Sequence, residues 1–278
     1  MRYLPYAQML SGLKAMTNRG GPQERLQVRD LSVGFGTRIV QRELNFSVHQ
    51  GSIFAIMGGS GCGKSTVLKA MIGLLHPITG TVLVDGEDYW AASETRRLAI
   101  GRRFGVLFQG GALWSSLTVA ENVALPLQML AHLDTDAIAV LADLKLAFVG
   151  MAAAAGRMPS ELSGGMRKRA ALARALALDP EILFFDEPSA GLDPVTSNRL
   201  DDLIVELSNG LGATVVIVSH ELPSLFAICD DGIFLDGETG TAIARGSPRA
   251  LRDGCAHPTV RAFMERGQRA PATATGAP

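Results

Sequence analysis

Residues 53–66 read Ile53-Phe54-Ala55-Ile56-Met57-Gly58-Gly59-Ser60-Gly61-Cys62-Gly63-Lys64-Ser65-Thr66. Five consecutive apolar residues closed by glycine are the pattern of a strand buried on both faces. The glycines that follow let the backbone curl so that successive N–H groups converge on an anion. From Lys64 to about Leu75 the spacing turns helical, and a helix N-terminus adds its partial positive charge. Strand, glycine-rich turn, Lys-Ser and helix together satisfy the phosphate-loop pattern. Lys64 is placed to reach the β- and γ-phosphates of a nucleoside triphosphate, Ser65 to ligate Mg²⁺ through its hydroxyl, and Thr66 to support the phosphates. Gly58, Gly59, Ser60, Gly61, Cys62 and Gly63 line the cradle. An oxidation-sensitive thiol at Cys62 would require a depressed pKa.

Downstream, a second apolar run, Ile182 to Phe185, ends in Asp186-Glu187. A carboxylate at the C-terminal end of a parallel strand faces the crevice where ligands bind. Asp186 is expected to hold Mg²⁺, directly or through water. Glu187 is then free to polarise an attacking water as general base. Gln109 follows a short strand, Gly105 to Phe108, and its neutral amide suits Mg²⁺ coordination or water orientation. His220 follows the strand Thr214 to Val218 at the same end of the sheet, where its imidazole reaches toward a γ-phosphate and toward Glu187.

Between these motifs lies Leu162-Ser163-Gly164-Gly165-Met166. Ser163 is a good N-cap for the helical run that follows, and Gly164 and Gly165 expose backbone N–H groups. This is a second phosphate-binding helix end on the same chain. Two copies arranged head to tail would let each Ser-Gly-Gly close over the nucleotide of the other.

Around these motifs, Leu26 to Gly51 alternates apolar and polar residues and reads as antiparallel strands about a turn at Gly34-Phe35-Gly36. A further short strand, Val82 to Val84, sits between Thr79-Gly80 and Asp85-Gly86. From about Ala91 to Leu162 the composition shifts to Ala, Leu and Met with helical spacing. Thr118 and Glu121 form a capping box there, and Pro126 should bend or end the helix it starts. Asp193-Pro194 opens another helix. The expected architecture is therefore an α/β core with an antiparallel β subdomain and an inserted α-helical subdomain. The expected segments are a flexible leader over 1–24, a catalytic domain over 25–247 with its helical insert at about 91–165, a helical extension over 248–266, and a disordered Ala/Pro/Thr/Gly-rich tail over 267–278.

The 278 residues carry a formal net charge of -1, which argues against a general nucleic-acid surface. Cys62, Cys229 and Cys255 lack metal-ligand spacing and fit free thiols. No window supplies the roughly 20 apolar residues of a membrane span, and residues 1 to 24 do not read as a signal peptide. Any membrane work is expected to run through a partner.

The ordered motif set resembles an ABC-type ATPase over about residues 26 to 247. Gly58–Thr66 looks like Walker A, Gln109 like the Q-loop, Leu162–Met166 like the signature and Ile182–Glu187 like Walker B. Ser189-Ala190-Gly191-Leu192-Asp193 looks like the D-loop and His220 like the switch histidine. The resemblance implies a P-loop NTPase with a RecA-like core, two ATP molecules shared in a homodimer, and an attached integral membrane permease dimer. It puts Phe35 at the adenine-stacking position and Asp193 at the nucleotide interface. Met166 stands where most of the family has Gln. With Phe108 to Pro126 and Ser160 to Ala175, it makes the chain most similar to the ATPases of Mla/Mce-type lipid transporters (the toluene-tolerance group). That implies a location on the cytoplasmic face of the inner membrane, phospholipid or a related lipid as cargo, and an MCE-domain lipid-binding protein as a further partner. The apolar segment Ala112, Leu113, Trp114 and Leu117 is the candidate permease-docking patch. The competing readings are a soluble ABC ATPase of the iron–sulfur assembly type and an ABC protein acting on nucleic acid or ribosomes. Against the second, the chain has neither a second cassette nor a long coiled-coil insert. A phosphate-loop kinase leaves the Ser-Gly-Gly segment without a purpose.

Overall fold

The computed structural model describes residues 23–266. The expected leader and tail thus lie, but for residues 23 and 24, outside the described residues. Two sheets organise the rest. The first is antiparallel with order β2-β1-β4-β5, formed by β1 (Glu24–Phe35), β2 (Arg38–His49), β4 (Thr79–Val84) and β5 (Glu87–Asp88). The second has order β10-β9-β3-β8-β7-β6, formed by β3 (Ile53–Gly58), β6 (Phe104–Leu107), β7 (Ile182–Asp186), β8 (Thr214–Val218), β9 (Asp231–Asp236) and β10 (Thr241–Arg245). Only β10 runs antiparallel to its neighbour in that sheet.

The continuous apolar strands are explained by what lies on each side of them. Side chains alternate across a strand. Ile53, Ala55 and Met57 of β3 enter a core shared with the helices, and Phe54 and Ile56 enter a core shared with the antiparallel sheet. Leu183 and Phe185 join the first core, while Ile182 and Phe184 join the second. Every residue of β3, β7 and β8 is buried. An ionic cluster also ties the two sheets together. Arg25 of β1 donates to Asp85 and to Glu181, each at 2.9 Å, and Arg103 bonds the same two carboxylates.

Helices α1 (Lys64–Met71), α2 (Glu94–Gly101), α3 (Val119–Leu130), α4 (Thr135–Phe148), α5 (Gly164–Ala175), α6 (Pro194–Leu211), α7 (Leu222–Ile228), α8 (Pro248–Gly254) and α9 (Pro258–Arg266) complete the chain. Several start where the sequence places a cap. Thr118 accepts from Glu121 N while Glu121 accepts from Thr118 N, and Asp193 accepts from Val195 N and Thr196 N.

Two features differ from the sequence reading. The hairpin turn falls at Gly36-Thr37, and Gly34 and Phe35 stay in the strand. α1 stops at Met71, where Gly73 takes φ 84 and the Leu74 N–H turns back to Lys69 O. The short strand expected at Gly105 to Phe108 is present as β6, pairing in parallel with β7 in the central sheet. Pro126, expected to bend or end its helix, lies inside α3 and does not end it. Val119, Val123 and Leu127 bury one face of that helix, and packing of this kind outweighs the hydrogen bond that proline forfeits.

Candidate functional site

The loop after β3 has the conformation its glycines allow. Gly58, Gly61 and Gly63 adopt φ of 146°, 75° and 101°, which side chains with a Cβ resist. Gly59, Ser60 and Gly61 are exposed, whereas Lys64 is buried. Lys64 Nζ donates to Gly58 O at 2.9 Å and Gly59 O at 2.8 Å, so its charge sits inside the curl. Cys62 points inward, since a Cβ on Gly58 would fall 2.7 Å from its Sγ. Burial raises the Cys62 thiol above its ordinary range, the opposite of what an oxidation-sensitive thiol requires. Thr66 lies in the first turn of α1, with its N–H on Gly63 O.

The strand-ending carboxylates meet this loop from across the sheet. Ser65 Oγ donates to Asp186 Oδ1 at 2.9 Å, which joins the residues read as metal ligands at the two motifs. Burial raises the Asp186 carboxyl, and the Ser65 hydrogen bond counters it. A hydroxyl and a carboxylate side by side are hard oxygen donors suited to Mg²⁺, which takes few protein ligands and completes its shell with phosphate and water. Among the described residues no cluster of three or more His, Cys, Asp or Glu residues could form a separate cage.

Glu187 is buried, and its carboxylate is held by three donors. His220 Nδ1 lies 2.7 Å from Oε1, and Ser219 Oγ and His220 N donate to Oε2 at 3.3 and 3.4 Å. A carboxylate oxygen accepts, so this contact assigns the proton to Nδ1, and Nε2 lies 3.8 Å from Glu221 Oε1. The His220 side chain is 50% exposed, so one group touches Glu187 and also meets solvent.

Gln109 lies two residues beyond the end of β6, exposed, at the same sheet edge as Asp186. It makes no hydrogen bond to Asp186. Phe35 ends β1 with its ring 57% exposed. Ser163 caps α5 by accepting from Met166 N at 3.3 Å. The N–H groups of Gly164 and Gly165 fall among those a helix leaves without an internal partner. Among the described residues, no hydrogen bond or ion pair joins Ser163–Gly165 to residues 58–66. Instead Gly165 packs on α6, where an added Cβ would stand 2.7 Å from Thr196 Cγ2. Thr196 Oγ1 in turn donates to Asp193 Oδ2 at 2.6 Å, so the Asp193 carboxylate serves as a helix cap beside the glycine pair.

A family model described as ABC transporter matches residues 41–190. That span runs from β2 through the phosphate loop, the Ser-Gly-Gly helix and the strand-ending carboxylates. The chain belongs to the ABC transporter ATP-binding family. The intermembrane phospholipid transport system ATP-binding protein MlaF of Escherichia coli K12 is 42% identical over 240 residues, covering 86% of this chain and 88% of that protein. The probable ribonucleotide transport ATP-binding protein mkl of Mycobacterium tuberculosis H37Rv is 40% identical over 197 residues, 71% of this chain and 55% of its own length. A dimeric ATP-binding cassette solved in a post-hydrolysis state with ADP and Pi superposes with a TM-score of 0.72 at 29% identity, covering 79% of this chain and 97% of that one. The chain is thus an ATPase with the P-loop NTPase fold of a cassette. Cassettes of this family form dimers and work with membrane components.

Two side chains at the site have no counterpart in the sequence reading of this ABC ATPase. Ser219, the residue after β8, donates its hydroxyl to Glu187 Oε2 at 3.3 Å. Lys168 lies within the Ser160 to Ala175 stretch and has no role assigned from the sequence, yet it is buried and its Nζ donates to Glu187 O at 2.6 Å. Burial lowers the Lys168 pKa, while Glu187, Glu221 and Asp186 nearby pull it back up. A signal was available in the spacing: Lys168 falls on the same helical face as the buried Ala171 and Leu172.

Proposed function

We propose that this ABC ATPase powers a transporter that moves phospholipid or a related lipid between membranes, and that it acts from the cytoplasmic face of the inner membrane. The observation that carries the reading is the 42% identity to the phospholipid-system protein MlaF over 88% of that protein's length. The contacts of Glu187 supply the chemistry. Glu187 accepts the proton of the attacking water, while His220 fixes its carboxylate through Nδ1 and presents Nε2 to the γ-phosphate. Lys64 exchanges its loop carbonyls for phosphate oxygens. Mg²⁺, held by Ser65 and Asp186 with Gln109 drawn in, neutralises phosphate charge when bound. Phe35 stacks on the adenine.

The glycine pair of α5 explains the dimer. Its free N–H groups and the Ser163 hydroxyl close on the γ-phosphate held by a second copy, beside the partner's counterpart of Asp193. Dimerisation is then part of the chemistry. Among the described residues no helix is long and apolar enough to cross a membrane, so the lipid path belongs to partners. Ala112, Leu113, Trp114 and Leu117 present the surface for a permease, with Trp114 60% exposed and Leu113 anchored against the core. The catalytic unit spans 25–247 and the extension 248–266 follows it.

The test is to extract the chain from its membranes in mild detergent and identify what accompanies it. An integral membrane permease and an MCE-domain protein carrying phospholipid are expected. Recovery of soluble partners alone would refute the lipid reading and favour a non-transport ABC ATPase.

A further inference from the structure

Glu187 has a positive φ of 51°, in the left-handed region that residues with a Cβ avoid. A base held there needs restraint from its surroundings, and the peptide groups on both sides of Glu187 are restrained. Its N–H donates to Val218 O at 2.8 Å, at the end of β8. Its C=O accepts from Lys168 Nζ at 2.6 Å. Val218 belongs to the central sheet, whereas Lys168 reaches across from α5, the helix that carries Ser163 and Gly165.

The same helix repeats the arrangement at its other end. Ala112, three residues past Gln109, also has a positive φ of 49°. Arg174 Nη1 donates to Ala112 O at 2.6 Å and Nη2 to Gly111 O at 2.9 Å. Two cations of α5 thus take the carbonyls of two left-handed residues, one at the base and one beyond the Q-loop. Lys168 is costly to bury, and a solvated face would be the ordinary place for it. The carbonyl it meets, with the carboxylates of Asp186, Glu187 and Glu221 nearby, supplies the compensation.

We infer that Lys168 is a positioning residue for ATP hydrolysis. It locks the Glu187 peptide in its left-handed conformation, so that the carboxylate meets His220 and faces the water it activates. If the Glu187 carbonyl is released, the peptide can relax toward the right-handed region. That rotation swings Cα–Cβ and carries the carboxylate away from Ser219 and His220. Lys168 acts through the Glu187 carbonyl. The inference rests on Glu187 being the base, and the test keeps the two ideas apart.

Turnover and ATP affinity are measured on the full-length chain purified with the membrane proteins that bind it, for the parent, K168M, K168R and E187Q. Methionine keeps the stem and its packing but cannot donate, whereas arginine keeps a cationic donor. A displacement of about 1 Å at a reacting group costs on the order of 100-fold. K168M is therefore expected to lose roughly 10- to 100-fold in kcat with KM for ATP within about twofold of the parent. K168R should recover most of that loss. In an E187Q background, K168M should lower the residual rate no further, because the residue it positions is already disabled. Parental kcat in K168M, with E187Q inactive, would overturn the role of Lys168 and leave the base in place. Parental turnover in E187Q would remove the base, and this inference with it. If K168M loses ATP binding and turnover together and K168R restores neither, Lys168 serves the fold alone and the inference fails.

Discussion

Gly164→Ala separates what the single chain needs from what the dimer needs. In one subunit a Cβ at Gly164 would meet nothing within 4 Å, and the residue is helical with no positive φ. Alanine at such a position stabilises a fold by about 0.4–1 kcal/mol through the unfolded chain. With about 2–4 °C per kcal/mol for a chain of this size, melting should stay level or rise by up to roughly 4 °C. The neighbouring Gly165→Ala behaves oppositely. Its Cβ would lie 2.7 Å from Thr196 Cγ2, against a usual carbon–carbon contact of about 3.5–4.0 Å. Thr196 is anchored through its N–H and hydroxyl to Asp193, so it yields poorly. Overpacking of this kind costs about 1–3 kcal/mol and should lower the melting temperature. If a partner's γ-phosphate sits on the Gly164 N–H, the extra methyl pushes it back by about 1 Å, and turnover falls on the order of 100-fold. ATP affinity at the variant's own phosphate loop should not change. The assay pairs thermal melting and ATP binding of the purified chain with steady-state hydrolysis. A Gly164→Ala chain that hydrolyses ATP at the parental rate would refute the shared site, because nothing would then approach that face.

Three further outcomes are expected. Ser65→Ala should lower Mg²⁺-dependent turnover at least about 10-fold while nucleotide still binds without metal; metal titrations that superpose on the parent would contradict the pairing with Asp186. Burial raises both Cys62 and Cys229, so in the folded chain at neutral pH a thiol alkylator should modify Cys255 first and leave those two intact until denaturation, as read by mass spectrometry; prompt labelling of Cys62 would be the contrary result. Asp201 is buried beside Ser224 and its carboxyl is raised by desolvation, so its contribution to stability is full below the unfolded carboxylate value and is lost as pH rises through the folded one. Asp201→Asn should therefore melt above the parent at pH 8, by roughly 2–4 °C if about 1 kcal/mol is recovered, and match it near pH 3.5; a constant difference across that range would point to packing instead of charge.

The parts of this molecule written locally were legible in the sequence. Gly63 and Lys64 announce an anion cradle because only one local geometry uses them together, and Thr118 and Asp193 announce helix starts through their own side chains. Features set by distant neighbours were not legible. Whether Pro126 ends a helix depends on how firmly Val123 and Leu127 are gripped from outside. The helical tail divides into α8 and α9 because the chain turns at 255–257 to bring Phe263 edge-on to Phe234. Lys168 is the clearest case. A lysine on a helix reads as a solvated charge until the fold shows a strained carbonyl at its tip.

The β1–β2 hairpin has a consequence for which nucleotides the protein accepts. Gln41 on β2 is fully buried and its side-chain amide donates to Cys62 O at 2.6 Å and Asp236 O at 2.9 Å. Phe35 stands at the tip of the same hairpin. The ring and the phosphate cradle are therefore mounted on one frame, with a fixed gauge between base and triphosphate. Phe35 offers a face and no hydrogen bond, and every base has a face to offer in return. In the proposed binding mode the protein measures the length of its fuel and leaves the edge of the base unread. GTP should then compete with ATP nearly as an equal, and the cell's own nucleotide ratio would decide which one is burned.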